Sequence, residues 1–303
     1  MKPNAKFLNQ PLPFWGIVRL LSEQMGYSKK GEVIYFSKSL IRSKLNELYL
    51  FVDEETIHLV QEYIEYRAMT LNNVVKKQLL DVEVARSGFY TLKKKFYDEY
   101  NFTCSLPYNK QKEEKKDYAY FTGMINILTE LAMRKYSHKH GLNYGKDDDI
   151  SFNDDPRNLT YVVDGNNRLI TTFSRRFDGA FPSTRNPSAI WEIKEYYYTT
   201  TFGSRIADGV FETQLDGFEI TELEDYGHYV KHVYLIDAYN TWWNMGKSYL
   251  CRIIDMLHRG QVSEVIFGKE IFERWEEFIT ELLVQHFADP TEDRPAEVVI
   301  DET

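Results

Sequence analysis

The chain has 303 residues, of which 43% are hydrophobic, and its formal net charge at pH 7 is −9. This length and hydrophobic content exclude a disordered chain and favour two ordinary domains. No apolar run reaches the roughly 18 residues of a membrane span, and the first residues lack the apolar core of a secretion signal, so we expect a soluble cytoplasmic protein. Cys104 and Cys251 are too few and too far apart for a disulfide framework or a zinc site.

The charged residues are distributed unevenly along the chain. Residues 1–150 contain more Lys and Arg than Asp and Glu, whereas residues 151–303 are strongly acidic. The basic part supplies cations that can meet phosphate, and the acidic part fits a metal-binding catalytic domain followed by a tail.

The first part of the chain is predicted to be mostly helical. Apolar residues recur at three-to-four spacing, which predicts helices over 14–25, 55–69 and 72–85. A short strand is expected at 32–36, and Ser37 is expected to cap a helix that begins directly after it.

One stretch of this part has the composition of a DNA-binding module. A turn at Ser87-Gly88 would join two helices, and Lys93, Lys94 and Lys95 follow close to tyrosines. Such a helix-turn-helix would place the three lysines against phosphates or in a groove. The alternative is that these lysines form the solvated face of a packed helix.

A polar stretch around residues 105–117 predicts a domain boundary. We therefore expect a mostly helical N-terminal domain at 1–117, a catalytic domain at 118–290 and a flexible acidic tail at 291–303. The catalytic domain is predicted to begin with a helix over 118–136. The loop that follows is rich in His and Asp, which we interpret as solvated rather than metal-binding.

From residue 159 the pattern predicts three successive strands, at 159–164, 168–181 and 189–198. A hairpin turn that begins at Gly165 is expected to join the first two. Helix, strand, helix, strand and helix then follow over 204–215, 231–238, 241–260, 263–268 and 270–287. The predicted fold class is α/β (α+β), with a central mixed β-sheet flanked by helices.

The third of these strands carries an acid-x-Lys triplet. Such triplets occur three times in the chain, and two of them lie in a solvated charge run at 113–116 with no strand to fix their geometry. The remaining one is Glu192-Ile193-Lys194, within an apolar and aromatic run. Residues i and i+2 of an extended strand share a face, so Glu192 and Lys194 project together. Asp178 lies upstream, on the preceding predicted strand.

Asp178, Glu192 and Lys194, in this order of strands and helices, resemble the core of the PD-(D/E)XK nuclease superfamily, which includes many type II restriction endonucleases. The resemblance covers roughly residues 120–285 and rests on a short motif. It implies a restriction-endonuclease-like sheet with the first acid on the second strand, the acid-x-Lys on the third, and Mg²⁺-dependent cleavage of phosphodiesters. One departure is Phe177, which stands where a proline often precedes the first acid.

Phosphodiester cleavage itself requires these residue types. A hard divalent cation held by carboxylate oxygens activates water and neutralises charge on the phosphorane and on the leaving oxygen. Asp178 and Glu192 are predicted as ligands of Mg²⁺, for which Mn²⁺ can substitute, and the resemblance suggests the Ile193 carbonyl as a third. Lys194 would orient the water or stabilise negative charge. The alternative is that Glu192 and Lys194 form an ordinary ion pair on a strand.

Further candidates lie on neighbouring elements. The resemblance suggests Glu130, on the helix before the sheet, as another metal ligand, although a lone helical Glu is usually solvated. Arg176 lies beside the first acid, and three polar residues lie on the helix after the third strand; all are candidates for contacts with DNA phosphates or water, namely Arg176, Arg205, Glu212 and Gln214.

These features together predict a Mg²⁺-dependent endonuclease of the type II restriction kind that cuts double-stranded DNA as a homodimer. A cognate methyltransferase is a candidate partner, and no membrane partner is expected. Two alternatives stay open. One is a structure-specific, phage-defence or repair nuclease, and the other is a noncatalytic DNA-binding protein that keeps the nuclease fold.

Overall fold

A computed structural model of the protein describes residues 1–8, 10–109, 117–145, 149–199 and 202–288, without the side chain of Arg205. A four-stranded mixed sheet lies at the centre, with helices packed around it and a helical region before it in the chain. The predicted architecture of a mixed α/β protein with a helical N-terminal region is confirmed at this level. Among the described residues, no helix has the length and apolar character needed to cross a membrane.

The N-terminal region is built from three helices and a short hairpin. The helices are α1 (Leu12–Met25), α2 (Lys38–Glu47) and α3 (Glu54–Thr70), and the hairpin pairs β1 (Ser28–Lys29) with β2 (Glu32–Val33). The Ser37 hydroxyl accepts a hydrogen bond from the Leu40 amide at 3.3 Å, which confirms the predicted cap of α2. The apolar faces of the three helices meet in one cluster, which includes Trp15, Leu21, Ile41, Val60 and Ile64.

The helix predicted over 72–85 is interrupted in the structure. After α4 (Lys76–Gln78) the backbone becomes extended at Leu79, and α5 (Val82–Leu92) begins only after Asp81. The break follows from a long-range contact, because the Leu80 amide donates a hydrogen bond of 2.7 Å to the buried carboxylate of Asp237.

The predicted turn at Ser87-Gly88 is also wrong. Both residues lie inside α5, where Gly88 packs against α6 (Tyr120–His140). A Cβ at Gly88 would lie 3.3 Å from the Met124 sulfur, so the glycine serves a close helix–helix contact and not a turn. The helix-turn-helix interpretation therefore loses its central element.

The main sheet has the strand order β5 (Gly179–Phe181), β6 (Ala189–Glu195), β7 (Lys231–Asp237) and β8 (Glu264–Phe267). β5 runs antiparallel to β6, and β6, β7 and β8 are parallel. Two helices supply the crossover connections that parallel strands require, α7 (Ser204–Glu224) between β6 and β7 and α8 (Lys247–His258) between β7 and β8. α9 (Arg274–Phe287) follows β8.

Alternate side chains of β6 meet different helices. The Trp191 ring packs on Trp275 of α9, and the Glu195 carboxylate accepts a hydrogen bond of 2.8 Å from the Phe121 amide of α6. Lys194 points the other way, towards Gly209 of α7. Both faces of β6 are therefore covered, and every residue of the strand is buried.

The strand predicted over 168–181 is divided in two. β3 (Tyr161–Val163) and β4 (Leu169–Thr172) form the predicted hairpin, but as a separate two-stranded sheet. The chain then leaves the strand direction before β5 begins at Gly179. Phe173 and Phe177 on this connection pack into a small apolar cluster with Ile190 of the main sheet.

Buried Asp237, at the end of β7, predicts a pH-dependent stability. Its carboxylate accepts hydrogen bonds from the Leu80 amide and the Tyr197 hydroxyl, and burial raises its pKa from 3.8 to about 7. The folded protein therefore holds this proton more tightly than the unfolded chain does. The stabilisation is present below pH 3.8 and is lost as the pH rises through about 7.

We expect Asp237→Asn to flatten this dependence. Between about pH 5 and pH 7 the free energy of unfolding of the wild type should fall by on the order of 2 kcal/mol more than that of the variant. Urea unfolding at the two pH values measures the difference, with exposed Asp225→Asn as the control. Equal slopes for wild type and Asp237→Asn would contradict the argument.

Candidate active site

Two carboxylates meet where β5 begins. The register that pairs Gly179 with Trp191 places Asp178, directly before β5, beside Glu192 in the middle of β6. Asp178 is held there by its own backbone, whose amide donates to the Trp191 carbonyl, and by its side chain, which accepts a hydrogen bond of 2.7 Å from the Ile193 amide. Like charges at adjacent cross-strand positions repel, so this pair requires compensating cations.

Glycine at 179 is needed for this arrangement. A Cβ at that position would lie 2.1 Å from the Trp191 ring, so only glycine allows the indole to pack across β5. The Trp191 ring in turn packs on Trp275 at a centroid distance of 5.4 Å. Contacts on the face of the sheet that packs against α9 therefore hold β5 and β6, and with them both acids, in place.

Lys194 supplies the first compensating cation. Its ammonium forms an ion pair with Glu192 on the same face of β6, as the i and i+2 spacing predicts, and lies 3.9 Å from Glu212 of α7. Gly209 leaves room for the lysine, since a Cβ there would lie 3.0 Å from the Lys194 Cε atom. The lysine is buried, and the neighbouring Glu192 carboxylate raises its pKa against the effect of burial, so it remains protonated.

Arg175 supplies the second cation and connects the site to α7. Its guanidinium lies 3.0 Å from the Glu192 carboxylate and holds the fully buried Asp216 through two nitrogens, with the shortest contact at 2.6 Å. In the sequence Arg175 stands out only as a cation shortly before Asp178, and no pattern marks Asp216. The two residues are 41 positions apart, and the local pattern gives no signal that they meet.

The two central acids differ in protonation. Burial and the negative charge of Glu192 raise the pKa of Asp178 from 3.8 to about 7. Burial acts in the same direction on Glu192, but the charges of Lys194 and Arg175 outweigh it and lower the pKa of Glu192. At neutral pH the site thus holds one firmly ionised carboxylate beside one that is close to its own titration point.

These residues form the floor of an open cleft of about 870 Å³. Acidic side chains outnumber basic ones along its walls, where Asp154 and Asp208 add to the central acids and Arg157 and exposed Arg176 are the outer cations. An acidic cleft repels phosphate until a cation enters it.

The donor set of this cleft fits a hard divalent cation. Asp178 and Glu192 offer carboxylate oxygens, and those of Glu192 are held by the cations Lys194 and Arg175, with Oε2 at 3.0 Å from the Arg175 guanidinium. Mg²⁺ is commonly bound by one or two carboxylates and completes its coordination with water and substrate phosphate. Within the described ranges, no group of three or more His, Cys, Asp or Glu side chains has the arrangement of a metal site.

The other predicted site residues lie elsewhere or are otherwise engaged. Glu130 is fully buried away from the cleft lining, accepts hydrogen bonds from the Thr103 and Cys104 amides, and pairs with Arg134 at 2.6 Å. The structure does not bring it to Asp178. The side chain of Arg205, like residues 291–303 of the predicted tail and most of the predicted boundary, lies outside the part of the chain that the structure describes.

The predicted DNA-binding residues are divided among three places. Arg176 and Glu212 line the cleft, whereas Gln214 lines a second cavity. Lys93 pairs with Asp98 at 2.7 Å on the π-helix Lys93–Asp98 that directly follows α5, and none of Lys93, Lys94 and Lys95 contributes to the cleft walls.

The fold and the cleft define a mixed α/β protein with a buried acid pair at the edge of its sheet. The chain belongs to the family of the domain of unknown function DUF7687, whose model matches residues 80–282. Residues 1–74 match a second model, the domain of unknown function DUF7690. Comparison with curated proteins and with solved structures gives no match.

Proposed function

We propose that this protein is a divalent-metal-dependent endonuclease of the PD-(D/E)XK type that hydrolyses DNA phosphodiester bonds. The observation that carries the proposal is the convergence of Asp178, Glu192 and Lys194 on the floor of one open cleft. Two carboxylates and a charged lysine meet there, on β6 and directly before β5, although the acids are 14 positions apart along the chain. Phosphoryl-transfer sites require this combination of metal ligands and a fixed cation.

Asp178 and Glu192 would hold Mg²⁺ or Mn²⁺. When bound, the cation lowers the pKa of water and neutralises charge on the phosphate and the leaving oxygen. The pKa of about 7 at Asp178 reflects its burial and its position beside another acid, and a divalent cation held by these carboxylates would offset their repulsion. In this proposal the ion pairs of Glu192 with Arg175 and Lys194 balance the negative charge of the acids when the metal is absent.

Lys194 acts as a donor in this proposal. Because its pKa is raised above the ordinary lysine value, it stays protonated at neutral pH and cannot accept a proton from water. Its ammonium can orient a water molecule or stabilise negative charge on phosphate by hydrogen bonding. Arg175 positions Glu192 from the opposite side and is itself fixed by Asp216.

The proposed substrate is double-stranded DNA and the proposed class is a type II restriction endonuclease. The open cleft and exposed Arg176 at its wall support a polymeric phosphate substrate, since backbone contacts come mainly from exposed Arg and Lys. A homodimer would present one cleft to each strand, and a cognate methyltransferase would protect the host DNA. These partners and the cytoplasmic location follow from the proposed class.

Sequencing of cleavage ends tests the proposal. The full-length protein is incubated with supercoiled plasmid and with a mixed DNA library, with Mg²⁺, with Mn²⁺, and with EDTA in excess. We expect cleavage only with a divalent cation, and ends that share one sequence. Metal-dependent ends without a shared sequence would replace the restriction class by a structure-specific nuclease. No metal-dependent loss of DNA would overturn the nuclease proposal and favour a noncatalytic binding protein.

A further inference from the structure

A second cavity of about 440 Å³ lies between α1, α7 and α8. α7 separates it from the cleft. Asp208 and Glu212 line the cleft, whereas Val210 and Gln214 line the second cavity. At about 100° per residue, positions 208 and 212 lie on one side of the helix and positions 210 and 214 on the other. The two cavities are therefore distinct sites on opposite faces of α7.

Three arginines line this cavity, and none of them is paired with a carboxylate of the described residues. Arg19 comes from α1, and Arg252 and Arg259 come from α8 and its C-terminal end. Within the part of the chain that the structure describes, no carboxylate forms an ion pair with any of the three. The situation is opposite to that of the cleft, where Arg175 and Lys194 are both paired with acids.

The two acids of the second cavity, Asp255 and Glu23, leave the three arginines in excess. Asp255 is held by buried Arg67 at 2.9 Å and by the Tyr63 hydroxyl at 2.6 Å, so its charge is already balanced. Glu23 is exposed at the rim. The cavity thus carries a net positive charge in a protein whose net charge is −9.

Aromatic rings fix the orientation of Arg252. Its guanidinium carbon lies 4.9 Å from the centre of the Tyr249 ring, and the rings of Tyr27 and Phe211 lie within 5.9 Å. A guanidinium stacked on a ring keeps its N–H edges free for a planar or tetrahedral anion. Arg259 is half-buried, and burial together with the nearby charge of Arg19 lowers its pKa. Like charges held this close are stabilised by an anion between them.

We propose that this cavity binds a phosphate group carried by a nucleotide, with Arg19, Arg252 and Arg259 as its ligands. Arginine matches phosphate oxygens with paired N–H donors. The exposed Phe211 ring in the cavity wall can stack on a flat base. The same chemistry has two sources, a free nucleotide and a nucleotide unit of a DNA strand that also reaches the cleft.

Binding measurements on four proteins test the proposal. They are the wild type, Arg252→Gln/Arg259→Gln, the single variant Arg19→Gln, and Arg168→Gln, an exposed arginine of the β3–β4 hairpin, as the matched control. The probes are inorganic phosphate, deoxyadenosine monophosphate and a short DNA duplex, all in EDTA so that no metal takes part. Calorimetry gives the dissociation constants, and thermal unfolding without ligand verifies that each protein is folded.

We expect the double variant to bind the recognised probe at least about tenfold more weakly than wild type, because it loses the charge-assisted hydrogen bonds of two arginines. Arg19→Gln should show a smaller loss in the same direction, and because Arg19 is exposed this variant should fold normally. Loss of nucleotide and phosphate binding identifies a free ligand, and loss confined to the duplex identifies a DNA strand. Equal binding by the double variant and Arg168→Gln, or no binding of any probe by the wild type, would overturn the proposal. These outcomes do not depend on whether the protein cleaves DNA in the cleft.

Discussion

Glu192→Gln is expected to lower DNA cleavage at saturating Mg²⁺ by at least about a thousandfold. The substitution keeps the shape of the side chain and removes the charge that a cation requires. A bound metal contributes several kcal/mol of stabilisation to the transition state, and each 1.4 kcal/mol corresponds to a factor of ten in rate. Glu192 is the ionised member of the acid pair, because Lys194 and Arg175 lower its pKa against the effect of burial. Glu192→Gln should therefore lower cleavage more than a substitution of Asp178 or Lys194 does.

Asp178→Asn and Lys194→Met should reduce cleavage by different routes. Asp178→Asn removes the second carboxylate, so we expect a higher Mg²⁺ concentration for half-maximal rate as well as a lower maximal rate. Lys194→Met leaves both carboxylates in place and removes only the donor, so the maximal rate should fall while the metal dependence changes little. Rates over a range of Mg²⁺ concentrations separate these two patterns.

Glu195→Gln is the matched control for these variants. Glu195 lies on the same strand and is equally buried, but its carboxylate accepts hydrogen bonds from the Phe121 amide and the Thr122 hydroxyl at the start of α6. The glutamine oxygen can accept the bond from the Phe121 amide, and its NH2 group can donate to the Thr122 hydroxyl, so cleavage should remain within a few-fold of wild type. Circular dichroism and thermal unfolding verify that each variant is folded. Unchanged cleavage by any two of Asp178→Asn, Glu192→Gln and Lys194→Met would sink the assignment of this site.

Local sequence patterns are sufficient to predict a secondary-structure element when its position depends only on the periodicity of its own residues. The spacing of apolar residues located α1, α3 and α6, and Ser37 located the start of α2. The face shared by Glu192 and Lys194 follows from strand geometry alone, and the structure has the two side chains in contact. Each of these features depends on residues that are close in the sequence, within one or two helical turns or within one strand.

Long-range contacts determined the places where local patterns misled. Gly88 suggested a turn at a position that is helical, because this glycine packs on α6. Gly217 also lies inside a helix, α7, where it packs on the backbone of Gln261. α7 consequently continues to Glu224, beyond the predicted end at residue 215. Conversely, the break after Gln78 has a strong apolar helical pattern across it and depends on Asp237, which is 157 residues away from Leu80.

The candidate site also combines features that local sequence patterns predict with features that depend on long-range contacts. The acid pair and the lysine were predictable because a motif marks them. The pairing of Arg175 with Asp216 was not, because it depends on which residues of α7 face the sheet. That pairing matters for the site, since it fixes the guanidinium that lowers the pKa of Glu192. The motif therefore indicates the reacting groups, and the tertiary structure supplies the groups that tune them.

Another long-range contact joins the helical N-terminal region to the sheet domain. Arg67 of α3 is almost fully buried, and its guanidinium binds both oxygens of Asp255 of α8 at 2.9 and 3.0 Å and the Ser22 hydroxyl of α1 at 2.8 Å. Tyr63 donates a further hydrogen bond to Asp255. One guanidinium thus connects α1, α3 and α8.

Arg67→Met is expected to lower the free energy of unfolding by about 3 kcal/mol. Removing one partner of a buried ion pair leaves the other charge unpaired, which typically costs about 3–5 kcal/mol. We expect the lower end of this range, because Asp255 lines the arginine-containing cavity and its side chain keeps 17% exposure to water. Urea unfolding of the purified variant measures the loss. Arg67→Met/Asp255→Leu should recover part of it, since the double variant leaves no unpaired carboxylate.

Arg42→Met provides the control for this prediction. Arg42 binds Glu54 through two nitrogens at 2.8 and 2.6 Å, so it forms an Arg–carboxylate ion pair as close as that of Arg67, but both side chains are exposed. Water and salt screen an exposed pair, so we expect a much smaller change in the midpoint of urea unfolding for Arg42→Met than for Arg67→Met. If the two variants lose equal stability, burial is not what makes the Arg67 contact strong. If Arg67→Met and the double variant are equally destabilised, the unpaired Asp255 charge is not the cause, and the loss comes from packing between α3 and α8.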